Sequence, residues 1–390
     1  MSPAKPSLDL LRSLTDEHVL RAFMTDGRLT RAELATRTGI SKPTVSESVR
    51  RLTAAGLLQD TGERTSGRGR IGSYYALAED VGCALVVSAA PEGIVAEIID
   101  SRGAVLARAA EHVRTPARPT PVAEAITTTA RRVRDTTSPP IRLAVVSAAD
   151  PVDRTTGRLV HLPDAPFLIG DLSPTEALTG MVDGPVLVDN DVNWAARAER
   201  AASPTPLDDF AYVHLGEGLG CATVSDGEVR RGHAGLAGEI AHLVTAGPGG
   251  KAVTFTEVFR TLGLRRAGST AIDVDKLLRT VDGSGEGNPS SGVLTALATA
   301  ICSVLSAIVA VCDPQVILVG GKWGLRPRVL NAIATRFEQL PRHVPIRPAL
   351  IVDEPALTGA RSHALTELRS AVVGLTRNGH DAGARDRAGR

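Results

Sequence analysis

The chain has 390 residues, 43% of them hydrophobic, and a formal net charge of +1. This length exceeds one ordinary domain and predicts a small module beside a larger folded core. The four cysteines are scattered without CxxC spacing, and the N-terminal segment has no basic stretch followed by an apolar run, which disfavours a disulfide scaffold and a secreted protein. We therefore expect a cytoplasmic location.

The first part of the sequence is predicted as helices. Apolar residues recur at helical spacing over 10–23 and stop at the breaker Asp26-Gly27, which indicates one helix or two in tandem. Thr30 and Glu33 have the spacing of a capping box, so a short second helix is expected to begin there and to end at Thr38-Gly39.

A third helix is predicted after the turn TGIS. Ser41 is placed to cap this helix, and Val45, Val49 and Leu52 at i, i+4 and i+7 form its inward stripe. We expect its outward face to carry Lys42, Thr44, Glu47, Ser48 and Arg51.

This succession of a short helix, a tight turn and a second helix is typical of a helix-turn-helix, whose second helix enters the major groove of DNA. Small hydroxyl residues allow close approach, while Lys42 and Arg50 can reach phosphates or guanine edges. The candidate DNA contacts on this helix are Ser41, Lys42, Thr44, Ser46, Glu47, Arg50 and Arg51. A three-helix protein-interaction domain would explain the helices equally well, but not the segment that follows.

That segment, LLQDTGERTSGRGRIGSYYAL, is predicted as two short strands around a basic, glycine-rich tip. Arg68 and Arg70 are expected to lie in a narrow minor groove, where the negative potential favours guanidinium groups. Between Arg28 and Arg70 the sequence holds nine basic and four acidic residues, an excess that suits a surface facing phosphates. The module is therefore predicted to be a winged helix-turn-helix that binds double-stranded DNA.

After Ala78 the pattern changes to alternating strands and helices, which indicates an α/β domain, with a hairpin at its start. The predicted helices are 120–136, 191–202, 293–312 and 326–339, and the predicted strands are 141–147, 186–189, 210–216, 316–320 and 349–352. The duplicated layout suggests two lobes with a cleft between them.

The segment 293–312 carries no charge and is long enough to cross a bilayer. Its alanine, serine and threonine content makes it only weakly hydrophobic, and it runs directly into Asp313-Pro314 and a predicted strand. We interpret it as a buried core helix and expect no membrane partner.

Several segments, in order along the chain, carry a resemblance to a known family: SAADPVDRTTGRLVHLPDAPF, PVLVDNDVNWAARAE, YVHLGEGLGCATVSDGEVRRGHAGLAGEIAH and CDPQVILVGGKWG. They resemble the ROK family of repressors and sugar kinases, whose repressor members also carry an N-terminal winged helix-turn-helix. The resemblance implies the two-lobed fold of actin and hexokinase.

The resemblance also implies a sugar site between the lobes. The positions that match the general base of the kinases and its sugar-binding neighbour are Asp191 and Asn190, and a carboxylate beside an amide offers an acceptor and a donor to adjacent hydroxyls. The family's further sugar contacts match Glu239, His242 and His233. Asp191 has an alternative role, because it is also placed to cap the helix that follows.

The phosphate loops that the kinases need are altered here. After the first strand, VVSAAPEGIVA replaces a turn of Asp-x-Gly-x-Thr type, so that Glu92 stands where phosphate would bind. The second loop reads GEGLGC, in which Glu217 is expected to repel a triphosphate and Cys221 adds bulk, and the nucleotide edge VGGKWG gains Lys322 and Trp323. We expect a pseudokinase without enzyme activity.

Other family features are missing too. The cysteines that hold zinc in relatives are absent from AGPGGKAVTFTEVF, and the lone His242 is not enough for a structural zinc site, so we expect no metal and no cofactor. The Pro-Gly turn of the sugar site is replaced around Ala149-Asp150, and the family's sugar-contacting Asn falls near Asp164.

Together these features predict a winged helix-turn-helix over 1–78, a sugar-kinase-like domain over 79–375 and a disordered tail over 376–390. The function that they favour is a regulator, a repressor of carbohydrate metabolism, that binds DNA as a homodimer or homotetramer and responds to a sugar or phosphosugar in the cleft. Two alternatives stay open: an ATP-dependent sugar kinase with a DNA-binding head, and a DNA-binding scaffold without a ligand.

Overall fold

A computed structural model describes residues 8–66, 71–162, 166–283 and 289–388. The chain begins with a winged helix-turn-helix. Its helices are α1 Leu8–Asp26, α2 Arg31–Thr38 and α3 Lys42–Ala54, and its strands are β1 Arg28–Thr30, β2 Leu58–Arg64 and β3 Ser73–Leu77. The strands form one antiparallel sheet in the order β1-β3-β2.

Local sequence explains where these helices begin. The Thr30 hydroxyl accepts a hydrogen bond from the Glu33 backbone amide at 3.2 Å, and the Glu33 carboxylate accepts one from the Thr30 amide at 2.8 Å, which completes the predicted capping box. Gly39 ends α2 with a φ of 70°, and Ser41 caps α3. The first helix is continuous rather than two in tandem.

The first lobe is built on a five-stranded sheet in the order β6-β5-β4-β7-β8. Its strands are β4 Cys83–Ala90, β5 Gly93–Ile99, β6 Val105–Glu111, β7 Ile141–Ala148 and β8 Val186–Asn190. Its helices are α4 Pro119–Arg134, the short α5 Pro174–Ala177 and α6 Asp191–Ala202. β5 pairs antiparallel with both β4 and β6, whereas β7 pairs parallel with both β4 and β8.

The second lobe repeats this plan with the strand order β11-β10-β9-β14-β15. Its main strands are β9 Phe210–Leu215, β10 Leu219–Ser225, β11 Glu228–Val229, β14 Val316–Gly320 and β15 Ile346–Pro348, and a small sheet pairs β12 Val244–Ala246 with β13 Ala252–Thr254. Its helices are α7 Phe255–Thr261, α8 Val274–Asp282, α9 Pro289–Cys312 and α10 Pro327–Phe337. The predicted duplicated α/β layout with a winged helix-turn-helix in front of it is confirmed.

The apolar segment within α9 serves the core of the second lobe. Over Gly292–Cys312 the helix is long and apolar enough to span a bilayer, and half of its most apolar window is buried inside the protein. Leu297, Ile301 and Leu305 are completely or almost completely buried in the same cluster as α8 and α10 side chains. This packing supports the interpretation as a core helix.

The last helix, α11 Pro355–Ala388, connects the two parts of the molecule. Leu357, Leu368 and Val372 on this helix share one buried cluster with strand residues of the first lobe and with the core of the winged helix-turn-helix. Arg369 donates hydrogen bonds to the backbone oxygens of Ser101 at 2.9 Å and of Met24 at 3.3 Å. The helix therefore contacts the first lobe and α1 together.

Two sequence expectations differ from the structure. The predicted strand 349–352 is wrong: β15 ends at Pro348, because the amides of Leu350 and Ile351 donate to the buried carboxylate of Glu199 at 2.9 and 2.8 Å instead of joining the sheet. Residues 376–388 continue α11 instead of forming a disordered tail; this stretch has no proline, and its alanines and arginines favour helix.

Candidate functional site

The outer end of α3 presents most of the residues predicted to contact DNA. Ser41, Lys42, Thr44, Glu47 and Arg50 are exposed, and Ser46 is half-buried. Arg50 forms an ion pair with Glu47, its Nη2 lying 2.6 Å from the carboxylate, and this pair lowers the pKa of Glu47. The face offers hydroxyl groups beside one lysine and one arginine, which is a usual set for phosphate and base contacts.

Two residues that were expected on this outward face lie inside the module. Ser48 is fully buried and its hydroxyl bonds the carboxylate of Asp16 on α1. Arg51 is only 20% exposed and donates to the same carboxylate at 2.6 and 3.1 Å. The prediction that Arg51 points outward is wrong because a buried acid on another helix neutralises its charge.

The wing strands carry arginine and tyrosine contacts that sequence analysis missed. The Arg31 guanidinium lies 4.9 Å from the ring centroid of Tyr75 and donates to its hydroxyl at 2.7 Å. Arg28 lies 5.1 Å from the ring of Tyr74. These two arginines therefore brace β3 as well as adding charge. The predicted wing-tip contacts Arg68 and Arg70 lie outside the described residues.

A cavity of about 810 Å³ lies between the two lobes. Its lining includes residues of the β4–β5 turn, the segment after β7, the start of α6, the β9–β10 turn and the first turn of α11. Its lining includes Asn190, Asp191, Glu239 and His242, four of the five residues predicted for a ligand. His233 is exposed and is not part of this lining, because it stands in the loop before the turn that carries Glu239.

Asn190 and Asp191 have different tasks at the start of α6. The Asn190 side chain accepts from the Val192 amide at 3.0 Å and donates to the backbone oxygen of Asp150 at 3.2 Å, so it caps the helix and anchors the neighbouring strand. The Asp191 carboxylate accepts from the same amide at 2.7 Å and lines the cavity. The capping role considered for Asp191 thus falls mainly to Asn190.

Burial shapes the ionisation of the cavity. Desolvation raises the pKa of Asp191 to about 7, and desolvation together with the charge of Asp191 raises that of Glu239 to about 7. Asp150, at the end of β7, has its pKa raised to about 7 by burial and then by Asp191. His214 at the end of β9 has its pKa lowered to about 4 by burial, so its ring is neutral at physiological pH.

Two further residues of the cavity, Asp150 and His214, were not predicted. Both face it from strand ends, and the signal for Asp150 was available, because an acid replaces the Pro-Gly turn expected there. His214 has no comparable motif. Asp164, which matches the family's sugar-contacting Asn, lies outside the described residues.

The β9–β10 turn, which resembles the second phosphate loop, forms contacts with the protein's own side chains. Trp323 is fully buried, and its indole nitrogen donates to the Gly216 backbone oxygen at 2.8 Å in the β9–β10 turn. Glu217 in that turn forms an ion pair with Arg266, so its charge is compensated rather than simply repulsive as expected. The Cys221 thiol is buried in the lobe core, away from the cavity lining.

Within the described residues, no group of three or more His, Cys, Asp and Glu side chains is arranged to hold a metal ion. The carboxyl groups that line the cavity can form hydrogen bonds and charge interactions. Asp191 and Glu239 can accept from hydroxyl groups, and in their protonated forms they can also donate.

Comparison with known proteins yields two family matches. A model described as the ROK family matches residues 90–257, and a model described as winged helix-turn-helix DNA-binding matches residues 12–59. A beta-glucoside kinase of Listeria monocytogenes is 30% identical over 205 residues, which are 49% of this chain and 68% of that protein. An N-acetylmannosamine kinase of Salmonella typhimurium is 27% identical over 285 residues, covering 68% of this chain and 93% of the relative.

Solved structures show the same fold. A ROK family transcriptional regulator, a homologue of the E. coli MLC protein, superposes with a TM-score of 0.61 at 18% identity and covers 93% of this chain and 99% of its own. A ROK family glucokinase from Streptomyces griseus, in complex with glucose and AMPPNP, gives a TM-score of 0.54 at 22% identity over 72% of this chain and 99% of its own. The first likeness includes the N-terminal head, and the second extends over a smaller part of the chain.

Proposed function

The chain belongs to the ROK family, and on that premise we propose that it is a cytoplasmic transcriptional regulator, a repressor, whose cleft binds a small effector. The observation that carries the proposal is the path of α11. Its first turn, with Pro355 and Leu357, lines the cavity. Further along, Leu368 shares one buried cluster with the core of the DNA-binding head, and Arg369 donates a hydrogen bond to the head's backbone. A ligand that moves the start of α11 thereby changes the support of the head.

The proposed DNA surface is the exposed end of α3 together with the wing. Lys42 is exposed at the first position of this helix, where it can reach a phosphate without breaking an internal contact. Two such heads in a homodimer would read the two halves of a two-fold operator.

Fluorescence anisotropy with the DNA upstream of the chain's own and adjacent genes tests DNA binding. We expect sequence-selective binding, weakened roughly five- to tenfold by Lys42→Ala, which corresponds to the loss of one contact worth about 1–1.4 kcal/mol. The matched control is Lys251→Ala, which removes an exposed lysine from the β12–β13 turn of the second lobe. Equal weakening by both variants, or no selective binding, would contradict the proposal.

We further propose that the cleft does not transfer phosphate. The β4–β5 turn places Glu92 in the cavity lining. In the β9–β10 turn, the Gly216 backbone oxygen accepts a hydrogen bond from Trp323, and Glu217 forms an ion pair with Arg266. A triphosphate would have to displace these groups or lie beside an uncompensated carboxylate.

The kinase alternative rests on Asp191, which is retained in the cavity, and on the kinases among the relatives. ADP release from ATP with glucose and N-acetylmannosamine, measured for the wild type and for Asp191→Asn, separates the two readings. Background signal from both proteins is expected. A wild-type signal that Asp191→Asn abolishes would establish the kinase instead.

The ligand-independent scaffold is distinguished by the effect of metabolites on operator binding. The regulator requires at least one small molecule that changes operator affinity and whose effect is lost when a cavity residue such as Glu239 is replaced. The scaffold requires that none does.

A further inference from the structure

The charged side chains that line the cavity are unevenly distributed. Its inner wall carries four carboxyl groups, those of Glu92, Asp150, Asp191 and Glu239. Within the part of the chain that the structure describes, none of the four has a lysine or arginine nitrogen within 4.0 Å. The lobe cleft is therefore rich in carboxyl groups that no lysine or arginine of the described residues pairs.

Asp150 is the most unusual member of this group. It is only 2% exposed, and among the described residues its Oδ2 has no hydrogen-bond partner, although the carboxyl group accepts from the backbone amide of Leu168. A buried carboxyl oxygen without a donor costs free energy, and a native protein retains such a group where a ligand or a proton satisfies it.

The basic residues near the cavity are engaged elsewhere. Lys322 lies 3.7 Å from Asp275, and Arg326 lies 3.7 Å from Asp282, both on α8. Arg266 is bound to Glu217. At the start of α6 the nearest arginine of that helix, Arg197, is held by Asp189 at 2.8 Å.

The remaining acids at the cavity mouth are paired or exposed. Glu354 is bound to Arg108, and Asp353 is exposed to solvent. The His214 ring is neutral because burial depresses its pKa to about 4, so it offers a hydrogen bond and no positive charge. A phosphate group on a ligand would meet these carboxyl groups, while the lysine and arginine of the lining, Lys322 and Arg326, lie beside acids of α8. A positively charged group would be attracted by the ionised carboxylates.

We propose that the cleft binds a small polyol that carries a protonated amine, an amino sugar with a free ammonium group, and that Asp150 is the residue that selects the amine. This inference rests on the proposed function only in taking the cleft as the effector site. The cavity volume of about 810 Å³ accommodates a mono- or disaccharide. Asp191 and Glu239 accept from its hydroxyl groups.

The ammonium group supplies a positive charge and hydrogen-bond donors to the carboxyl groups of the cavity. It donates charge-assisted hydrogen bonds to the carboxylates, and its positive charge favours their ionised form. Carboxyl groups that hold a proton near neutral pH in the free protein therefore release it when the amine binds. A neutral sugar makes hydroxyl contacts but has no such effect, and an N-acetylated sugar has no charge to offer.

Isothermal titration against glucosamine, mannosamine and galactosamine, with glucose, N-acetylglucosamine and glucosamine 6-phosphate beside them, tests the proposal. At pH 7 we expect at least one free amino sugar to bind at least tenfold more tightly than its neutral, N-acetylated and phosphorylated counterparts. The apparent enthalpy should change with the ionisation enthalpy of the buffer, which reports proton release. Equal affinity for glucose, preference for the phosphorylated sugar, or no binding of any amine would overturn the proposal.

Asp150→Asn is expected to remove the preference for the amine while keeping weak binding of the neutral sugar. Asp183→Asn makes the same change at an exposed position before β8 and should bind as the wild type does. If Asp150→Asn retains the full preference for the amine, Asp150 is not the selecting residue and the proposal fails.

Operator binding by the same preparations distinguishes a failure of the proposed ligand class from a failure of the proposed regulator function. If the protein binds DNA selectively but binds no amino sugar, the proposed ligand class is wrong and the proposed regulator function stands. If the protein binds an amino sugar but no DNA, the proposed regulator function is wrong and the proposed ligand of the cleft stands.

Discussion

Neighbouring arginines near the end of α3 have opposite roles. Arg50 is 68% exposed at its side chain and pairs with Glu47 on the surface, whereas Arg51 is 20% exposed and bonds Asp16, whose side chain is 2% exposed. The two arginines are adjacent in sequence and have the same chemistry. Their roles differ because α1 brings Asp16 next to Arg51 and not next to Arg50. One serves as a candidate DNA contact, and the other holds two helices of the head together.

Arg51→Ala is therefore expected to destabilise the protein more than it affects DNA contacts. Removing this arginine takes away the two hydrogen bonds and the positive charge that it gives to the buried Asp16 carboxylate, and breaking such a pair costs about 3 kcal/mol of unfolding free energy. Urea denaturation followed by circular dichroism measures the loss. Arg50→Ala is the control, which should leave the unfolding midpoint unchanged and weaken operator binding; the reverse pattern would exchange the two roles.

The cavity carboxyls make the stability of the free protein depend on pH. Folding raises the pKa of Asp150 from 3.8 to about 7, so the folded protein keeps a proton that the unfolded chain loses near pH 4. Stability from this group is therefore full below pH 4 and is lost progressively as the pH rises to about 7. Asp191 and Glu239 contribute with the same sign.

Asp150→Asn should accordingly stabilise the ligand-free protein at pH 8, by on the order of 2 kcal/mol, and have a smaller effect at pH 5. Urea midpoints of the variant, the wild type and Asp183→Asn at the two pH values measure the difference. A variant that is less stable than the wild type at pH 8 would mean that the Asp150 carboxylate is ionised and satisfied inside the folded protein.

Among the elements, α11 is the one whose role depends most on tertiary structure. Leu368 is fully buried in the cluster that α11 shares with the first lobe and the core of the head. Leu368→Ala is expected to cost about 3 kcal/mol of unfolding free energy, because the cavity that it leaves is enclosed on several sides. Thr366→Ala, on the exposed side of the same helix, is the control. Similar stability of the two variants in urea would show that α11 does not support the head.

Patterns local in sequence predicted most of the elements. The capping box at Thr30, the stripe of Val45 and Val49, and the predicted strands other than 349–352 depend on neighbours within a few residues, and the structure contains all of these. Residues 349–352 do not form a strand because backbone amides there donate to Glu199, about 150 residues earlier. Arg51 points inward because it binds Asp16 in another helix. Such partners have no signature in a single stretch of sequence.

The candidate site was predictable to a similar extent. Motif positions identified Asp191, Glu239 and His242 as cavity residues, because the family pattern fixes where the chain enters the cleft. The pattern did not indicate that Asn190 would be used within the protein or that Asp150 would add a buried acid. Both outcomes depend on how the end of β7 packs against the start of α6.

At the scale of the whole molecule, the winged head and the two lobes form one connected structure, and the proposed regulator requires two such molecules. A single α3 covers only one half of an operator, and dimeric regulators read half-sites about 10 bp apart or multiples of that spacing. Sedimentation equilibrium is expected to give twice the 40.7 kDa mass of the chain for the free protein, and two chains for each operator in the complex with DNA.

Helical phasing of the operator tests this arrangement without disturbing the protein. Inserting about 5 bp between the half-sites turns one of them to the opposite side of the duplex, whereas inserting about 10 bp restores its orientation. Because both heads belong to one dimer, the shorter insertion should weaken binding more than the longer one, although the longer one separates the half-sites further. Equal affinity for all three spacings would mean that each head binds independently, and the dimer would then have no part in operator recognition.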